Sequence, residues 1–162
     1  MDAVDFKLNN VFDVVIMTGN AFQAFISESD FLAVLRNIKN HMHNDSIFVF
    51  DTRLPSPNNL ETTCTYKYGS TYTSSSRGEV NVYGLDCNHP DSEDTMLHYM
   101  KRCYENGEEY ESQIELKYRT IEEISNKLKS NGLKLIECYS DWCKTPILAS
   151  STNLVGVVKP LQ

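Results

Sequence analysis

Phe12-Asp13-Val14-Val15-Ile16 and Ile47-Phe48-Val49-Phe50 are the two stretches that decide the fold. Each is a short, mostly apolar run rich in β-branched or aromatic residues. That is the composition of a strand buried on both faces, as in parallel sheets. A helix lies between them. Ser27 or Ser29 can cap it, Glu28 and Asp30 suit its first turn, and Phe31, Leu35, Ile38 and Met42 recur at helical spacing. His43-Asn44-Asp45 is polar turn chemistry before the second strand. Strand, helix and strand in about 40 residues make a βαβ unit, which predicts parallel strands and a right-handed crossover.

Beyond Arg53 the composition changes. Pro55 and Pro57 break the chain, and residues 54–119 read as an antiparallel β insert. Residues 64–73 and 79–85 are rich in Thr, Tyr and Val and flank Ser74-Ser75-Ser76-Arg77-Gly78, the pattern of a hairpin. Residues 97–104 and 110–119 flank Glu105-Asn106-Gly107-Glu108, and Asn-Gly predicts a type I′ turn. Ile114, Leu116 and Tyr118 alternate with Glu115, Lys117 and Arg119, so one face of that strand is expected to be wet. Residues 92–100 read either as strand or as a short helix.

Helix and strand then return. Thr120-Ile121-Glu122-Glu123 is a capping box, Ile121, Ile124 and Leu128 form an apolar stripe, and Gly132 suits the C-terminal cap. Leu133–Cys138 and Leu154–Val158 are the last strands, with Tyr139-Ser140-Asp141-Trp142 opening the loop between them. The expected class is α/β. Open parallel sheets bind ligands beyond the carboxyl ends of their strands. Thr18-Gly19-Asn20 and Asp51-Thr52-Arg53 both sit at such ends and should share one rim.

The composition is globular: 162 residues, 41% hydrophobic and 23% charged. Fifteen basic against 22 acidic residues give a formal charge of −7, which disfavours a nucleic-acid or anionic-membrane surface. No uncharged run approaches the ~20 apolar residues of a membrane helix. The acidic N-terminus is unlike a signal peptide. Five cysteines, none in C-x-x-C, argue for free thiols, no metal centre and a cytoplasmic location. The four histidines also lack metal-ligand spacing.

The ordered set Phe12-Asp13-Val14-Val15, Thr18-Gly19-Asn20-Ala21-Phe22, Phe48-Val49-Phe50-Asp51-Thr52-Arg53, Arg119-Thr120-Ile121-Glu122-Glu123 and Asn131-Gly132-Leu133 resembles the C-terminal portion of a class I S-adenosylmethionine (SAM)-dependent methyltransferase. The resemblance spans nearly the whole chain. It implies a partial Rossmann-like sheet, mostly parallel, with an antiparallel last strand inserted between the family's fifth and sixth. It implies SAM as cofactor and a small-molecule acceptor. The family's Gly-rich loop is missing: glycines stand at 19, 69, 78, 84, 107, 132 and 156, and no G-x-G occurs. The chain therefore reads as a single partial domain, 1–162. A complete domain of that family would need roughly 70 to 100 more residues ahead of Met1, at about 30 per βαβ step.

By the same resemblance Asp2 and Ala3 would meet the adenine, the alternative for Asp2 being a disordered terminal acid. Thr18, Gly19 and Asn20 would meet the methionine end of SAM, the alternative being an ordinary strand-to-helix turn. Phe22 would line the pocket, the alternative being core. Asp51 is the candidate base and Arg53 suits an anionic group, the alternative being a local ion pair between them. Trp142 and the tyrosines at 66, 68, 72, 83, 99, 104, 110 and 118 would shape an acceptor pocket, the alternative being that most of them pack the insert's sheet. In a sheet lacking three strands, Phe12–Ile16 becomes an apolar edge open to a protein partner or to self-association. A second reading is thus a non-catalytic partner docked through that edge, and a third is an unrelated α/β domain.

Overall fold

The computed structural model describes residues 2–63 and 65–161; the expectations for Met1 and Cys64 fall outside the described residues. The chain divides into two compact units, Met1–Asn59 with Lys117–Gln162, and Leu60–Leu116.

In the first unit, strand β1 (Phe12–Met17) leads through a 3-10 turn (Ala21–Ala24) to helix α1 (Glu28–Asn40) and strand β2 (Met42–Arg53). Ser27, not Ser29, is the cap, accepting the Asp30 amide at 3.0 Å. β1 and β2 are parallel, as the βαβ reading requires. His43-Asn44-Asp45 lies inside β2 rather than before it. The register jumps from Phe12↔Met42 to Val14↔Ile47, so these residues bulge out of the ladder. The turn chemistry survives there, because the His43 amide donates to Ser46 Oγ at 2.9 Å.

Helix α2 (Ile121–Ser130), strand β7 (Leu133–Tyr139) and strand β8 (Asn153–Pro160) complete this unit. The capping box is formed: Thr120 Oγ1 accepts the Glu123 amide at 3.2 Å, and Glu123 Oε2 accepts the Thr120 amide at 2.6 Å. Gly132 follows α2 at φ +73, the left-handed conformation that closes a helix. The strand order is β1-β2-β8-β7, and β8 is antiparallel to both neighbours. Three strands therefore run one way, and the last inserts against them, as the resemblance implies.

Alternation along β2 sorts the two faces of this sheet. Ser46, Phe48, Phe50 and Thr52 are buried, whereas Ile47, Val49, Asp51 and Arg53 are half-buried. The buried face packs with Phe22, Phe31, Leu35, Ile124 and Leu128 into one core. Phe22 stacks on Phe50 with centroids 4.2 Å apart and meets Phe31 edge-on at 5.1 Å. Burial of such a ring stabilises by about 1.5–3 kcal/mol. Gly156 makes this stack possible, since a Cβ there would lie 2.5 Å from the Phe50 ring. The opposite face and the β1 edge leave Val14 and Ile16 48% and 63% exposed.

The second unit is a meander of β3 (Lys67–Ser74), β4 (Gly78–His89), β5 (Ser92–Tyr104) and β6 (Glu109–Lys117), in that spatial order. Residues 92–100 are strand, so the short-helix alternative falls. The Asn106-Gly107 hairpin is present but its turn is not type I′. Among its residues only Gly107 has positive φ, at +86. Gly107 N–H bonds the Tyr104 carbonyl at 2.9 Å, and Tyr104 N–H bonds the Glu108 carbonyl at 2.9 Å. That is a three-residue loop, a type I turn closed by a glycine bulge. The wet-face alternation also ends early. Arg119 lies beyond β6 and is 6% exposed, while Ile114 is 53% exposed.

Candidate functional site

The parallel register pairs Met17 with Phe50, so the residues that follow leave the sheet side by side. Two successive left-handed residues, Gly19 at φ +73 and Asn20 at φ 59, turn the chain back over the strand ends. Asn tolerates this conformation better than most residues, and Gly adopts it freely. The turn delivers the Asn20 amide to Asp51 Oδ1 at 2.7 Å. Arg119 secures the following 3-10 segment from below. Its guanidinium donates to the Phe22 and Phe25 carbonyls and lies 4.1 Å over the Phe31 ring.

The loop from β7 to β8 closes the other side. Asp141 Oδ1 accepts the amides of Cys143 at 2.8 Å and Thr145 at 3.1 Å. Hydrogen bonds from the Thr145 side chain and these amides hold its carboxyl below the usual aspartate range. Ser140 N–H bonds the Thr145 carbonyl at 2.8 Å. So shaped, the loop sends Trp142 Nε1–H to Asp51 Oδ2 at 3.1 Å. Both oxygens of Asp51 thus accept a fixed N–H donor, one from each loop. Between them lies a cavity of about 190 Å³ lined by Asn20, Asp51, Ser140, Asp141, Trp142 and Asn153, with Leu154 and Val155 completing it.

Of the sequence-derived candidates, Asn20, Asp51 and Trp142 converge on this cavity. Thr18 and Gly19 stand exposed on the same rim, outside its lining. A Cβ at Gly19 would meet nothing within 4 Å, which leaves the backbone open to close approach. Arg53 lies two residues beyond Asp51 on the same face and pairs in register with Asn153. The Asp51 carboxylate is held by the two N–H donors rather than by an ion pair with Arg53. Phe22 is 1% exposed and belongs to the core, the alternative given for it above. Asp2 and Ala3 lie elsewhere in this unit. Asp2 Oδ1 accepts the Val4 amide at 3.0 Å, and Asn37 Nδ2 donates to the Ala3 carbonyl at 3.1 Å.

Ser140, Asp141 and Asn153 were not singled out by sequence, and Arg119 was noted only in the Arg119-Thr120-Ile121-Glu122-Glu123 stretch and as a charge on a wet face, not as a clamp. Asp141 had one local signal, an Asp placed two residues before an amide it can accept, as in an Asx turn. Arg119 had none that separates a clamp from a surface charge. Larger cavities open around Pro90, at about 590 Å³, and among Leu54, Ile121 and Leu148, at about 460 Å³. Neither brings together a fixed carboxylate and an aromatic face. Among the described residues no cluster of three metal-binding side chains occurs, and no helix is long and apolar enough to cross a membrane.

No family model matches this sequence, and no curated protein matches it significantly. Solved structures do match. A SAM-dependent methyltransferase from Clostridium acetobutylicum aligns with 100% of this chain at TM-score 0.80 and 16% identity. The methyltransferase CcbJ from Streptomyces caelestis aligns at TM-score 0.77 and 16% identity, again over 100% of this chain. The sugar N-methyltransferase KedS8 from a Streptoalloteichus species aligns likewise at TM-score 0.74 and 16% identity. The chain spans only 63%, 62% and 61% of those three proteins. Its fold is therefore that of part of a SAM-dependent methyltransferase domain.

Proposed function

We propose that this chain is the acceptor-side part of a SAM-dependent methyltransferase that modifies a small molecule. One observation carries the reading. At the carboxyl ends of two parallel strands, where open α/β sheets take ligands, Asn20 and Trp142 hold the Asp51 carboxylate against a cavity. The shared fold and the small-molecule methyltransferases among its neighbours support the same reading.

The residues present fit part of SAM. The backbone at Gly19 is exposed, with open space where a Cβ would stand, and with Thr18 and Asn20 it is proposed to take the methionine end. Asp2 and Ala3 are proposed for the adenine. No G-x-G loop exists in this chain to hold the remainder. When bound, SAM supplies a methyl group activated on a sulfonium. The chain's own residues orient the acceptor, and Asp51 is placed to take its proton. Trp142 walls the acceptor pocket, and Arg53, further along the rim, suits an acidic group on the acceptor. Residues 54–119 are proposed as an insert of the same domain, and the cytoplasm as its compartment.

Calorimetry with the isolated chain tests this division of labour. Binding of SAM should be weaker than low micromolar, and should strengthen once a polypeptide bearing the Gly-rich loop is supplied. Low-micromolar affinity for the chain alone would sink it. A second reading, a non-catalytic partner that completes another subunit's sheet, is favoured by the exposed apolar edge at Val14 and Ile16.

A further inference from the structure

We propose that the Asp51–Trp142 cavity binds a protonated amine of a small organic molecule. This inference deepens the function proposed above by naming the acceptor's chemical class. It rests on four features of the cavity itself.

The first is charge. Asp51 and Asp141 both line the cavity, and among the described residues no Lys or Arg side chain does. The second is fixation. Asn20 and Trp142 each bond one oxygen of Asp51, so its orientation is set before any ligand arrives. A carboxylate oxygen keeps a second acceptor direction after one N–H bond, and an ammonium has three donors to offer. The third is the aromatic wall. Trp142 is 55% exposed, and Lys144, its neighbour in the loop, lies 5.8 Å over Tyr139 instead. An indole face attracts an organic cation. The fourth is size. About 190 Å³ is room for some six water molecules, enough for an amine head group and its first carbons.

A bare metal ion fits less well. The indole gives a hard cation nothing, and among the described residues no cluster of three metal-binding side chains occurs. An anionic ligand would face two carboxylates. The remaining rim groups, Ser140, Asn20 and Asn153, suit hydroxyls flanking the amine.

Trp142 is the sole tryptophan of the chain, so its fluorescence reports the cavity directly. The test titrates the intact chain with cyclohexylammonium, cyclohexanol and trimethylsulfonium. Expected is a saturable change with cyclohexylammonium and none with cyclohexanol of similar shape. Asp51→Asn should weaken the response about tenfold, and Asn153→Asp, which leaves the Asp51–Trp142 bond in place, should strengthen it. Should Asp51→Asn fail to fold by circular dichroism, Asn153→Asp alone decides. Equal responses to amine and alcohol, or indifference to a charge change at 153, overturn the proposal. Tighter binding of trimethylsulfonium would assign the cavity to the methyl donor and overturn it as well. SAM and methyl transfer enter nowhere in this titration, so its failure and failure of the methyltransferase reading are separable.

Discussion

Asp51 Oδ1 lies 2.7 Å from the backbone amide of Asn20, which ties the end of β2 to the loop that leaves β1. The bond needs Asn20 at φ 59, where a residue with Cβ is strained. Asn20→Gly keeps the amide and relieves the strain, so its stability should stay within about 0.5 kcal/mol of the parent. Asn20→Ala should lose about 1 kcal/mol. Asp51→Ala removes the acceptor of two N–H groups and should lose about 1–3 kcal/mol. Urea denaturation followed by circular dichroism ranks the three variants.

Phe22 and Trp142 differ in kind although both are aromatic candidates. Phe22→Ala opens the stack on Phe50 and should lose about 3–5 kcal/mol. Trp142→Ala removes a half-exposed ring and should lose less than about 1 kcal/mol. Thermal unfolding with comparable losses at the two positions would contradict the core assignment.

Gly156 tests the same stack from the strand side. A methyl group there would sit 2.5 and 2.6 Å from two Phe50 ring atoms. Gly156→Ala should lose at least about 1–3 kcal/mol through overpacking. Added Phe50→Leu should recover part of it, read as the melting temperature of the double variant against Phe50→Leu alone.

The Asp141 carboxyl titrates below the usual aspartate range because Thr145 and Cys143 hydrogen-bond its charged form. A depressed folded value gives stability that is present above the unfolded value and lost as pH falls through the folded one. Loop order should therefore persist through mildly acidic pH and fail only below the usual carboxylate range. Carboxyl carbon shifts of Asp141 followed by NMR give the midpoint. A midpoint within or above that range would refute the bonding described.

Val14 and Ile16 make β1 an apolar edge. Light scattering should find the chain self-associating with rising concentration, and Val14→Lys with Ile16→Lys should return it to monomer. A parent chain that stays monomeric when concentrated would count against docking through this edge.

The features legible in the sequence are those set over short distances or by period. The capping box at Thr120 and Glu123 needs residues three apart, and the Gly132 cap needs one glycine after a helix. The βαβ unit follows from apolar runs around a helical stripe. Local chemistry also misled in places: Asn106-Gly107 marked a turn but not its type, and His43-Asn44-Asp45 marked a bend inside β2. Arg119 read as a surface charge because nothing near it in sequence reveals the carbonyls of Phe22 and Phe25.

The site belongs to the same division. Sequence placed Asn20 and Asp51 at one rim, because consecutive parallel strands end on the same side of a sheet. It did not join Trp142 to them. That indole lies 91 residues from Asp51 along the chain, and only the insertion of β8 beside β2 brings the loop before it to the rim. Local composition determined which elements form. Tertiary structure decided which side chains meet, because hydrogen bonds between distant loops depend on strand order and register, which neighbouring residues do not encode.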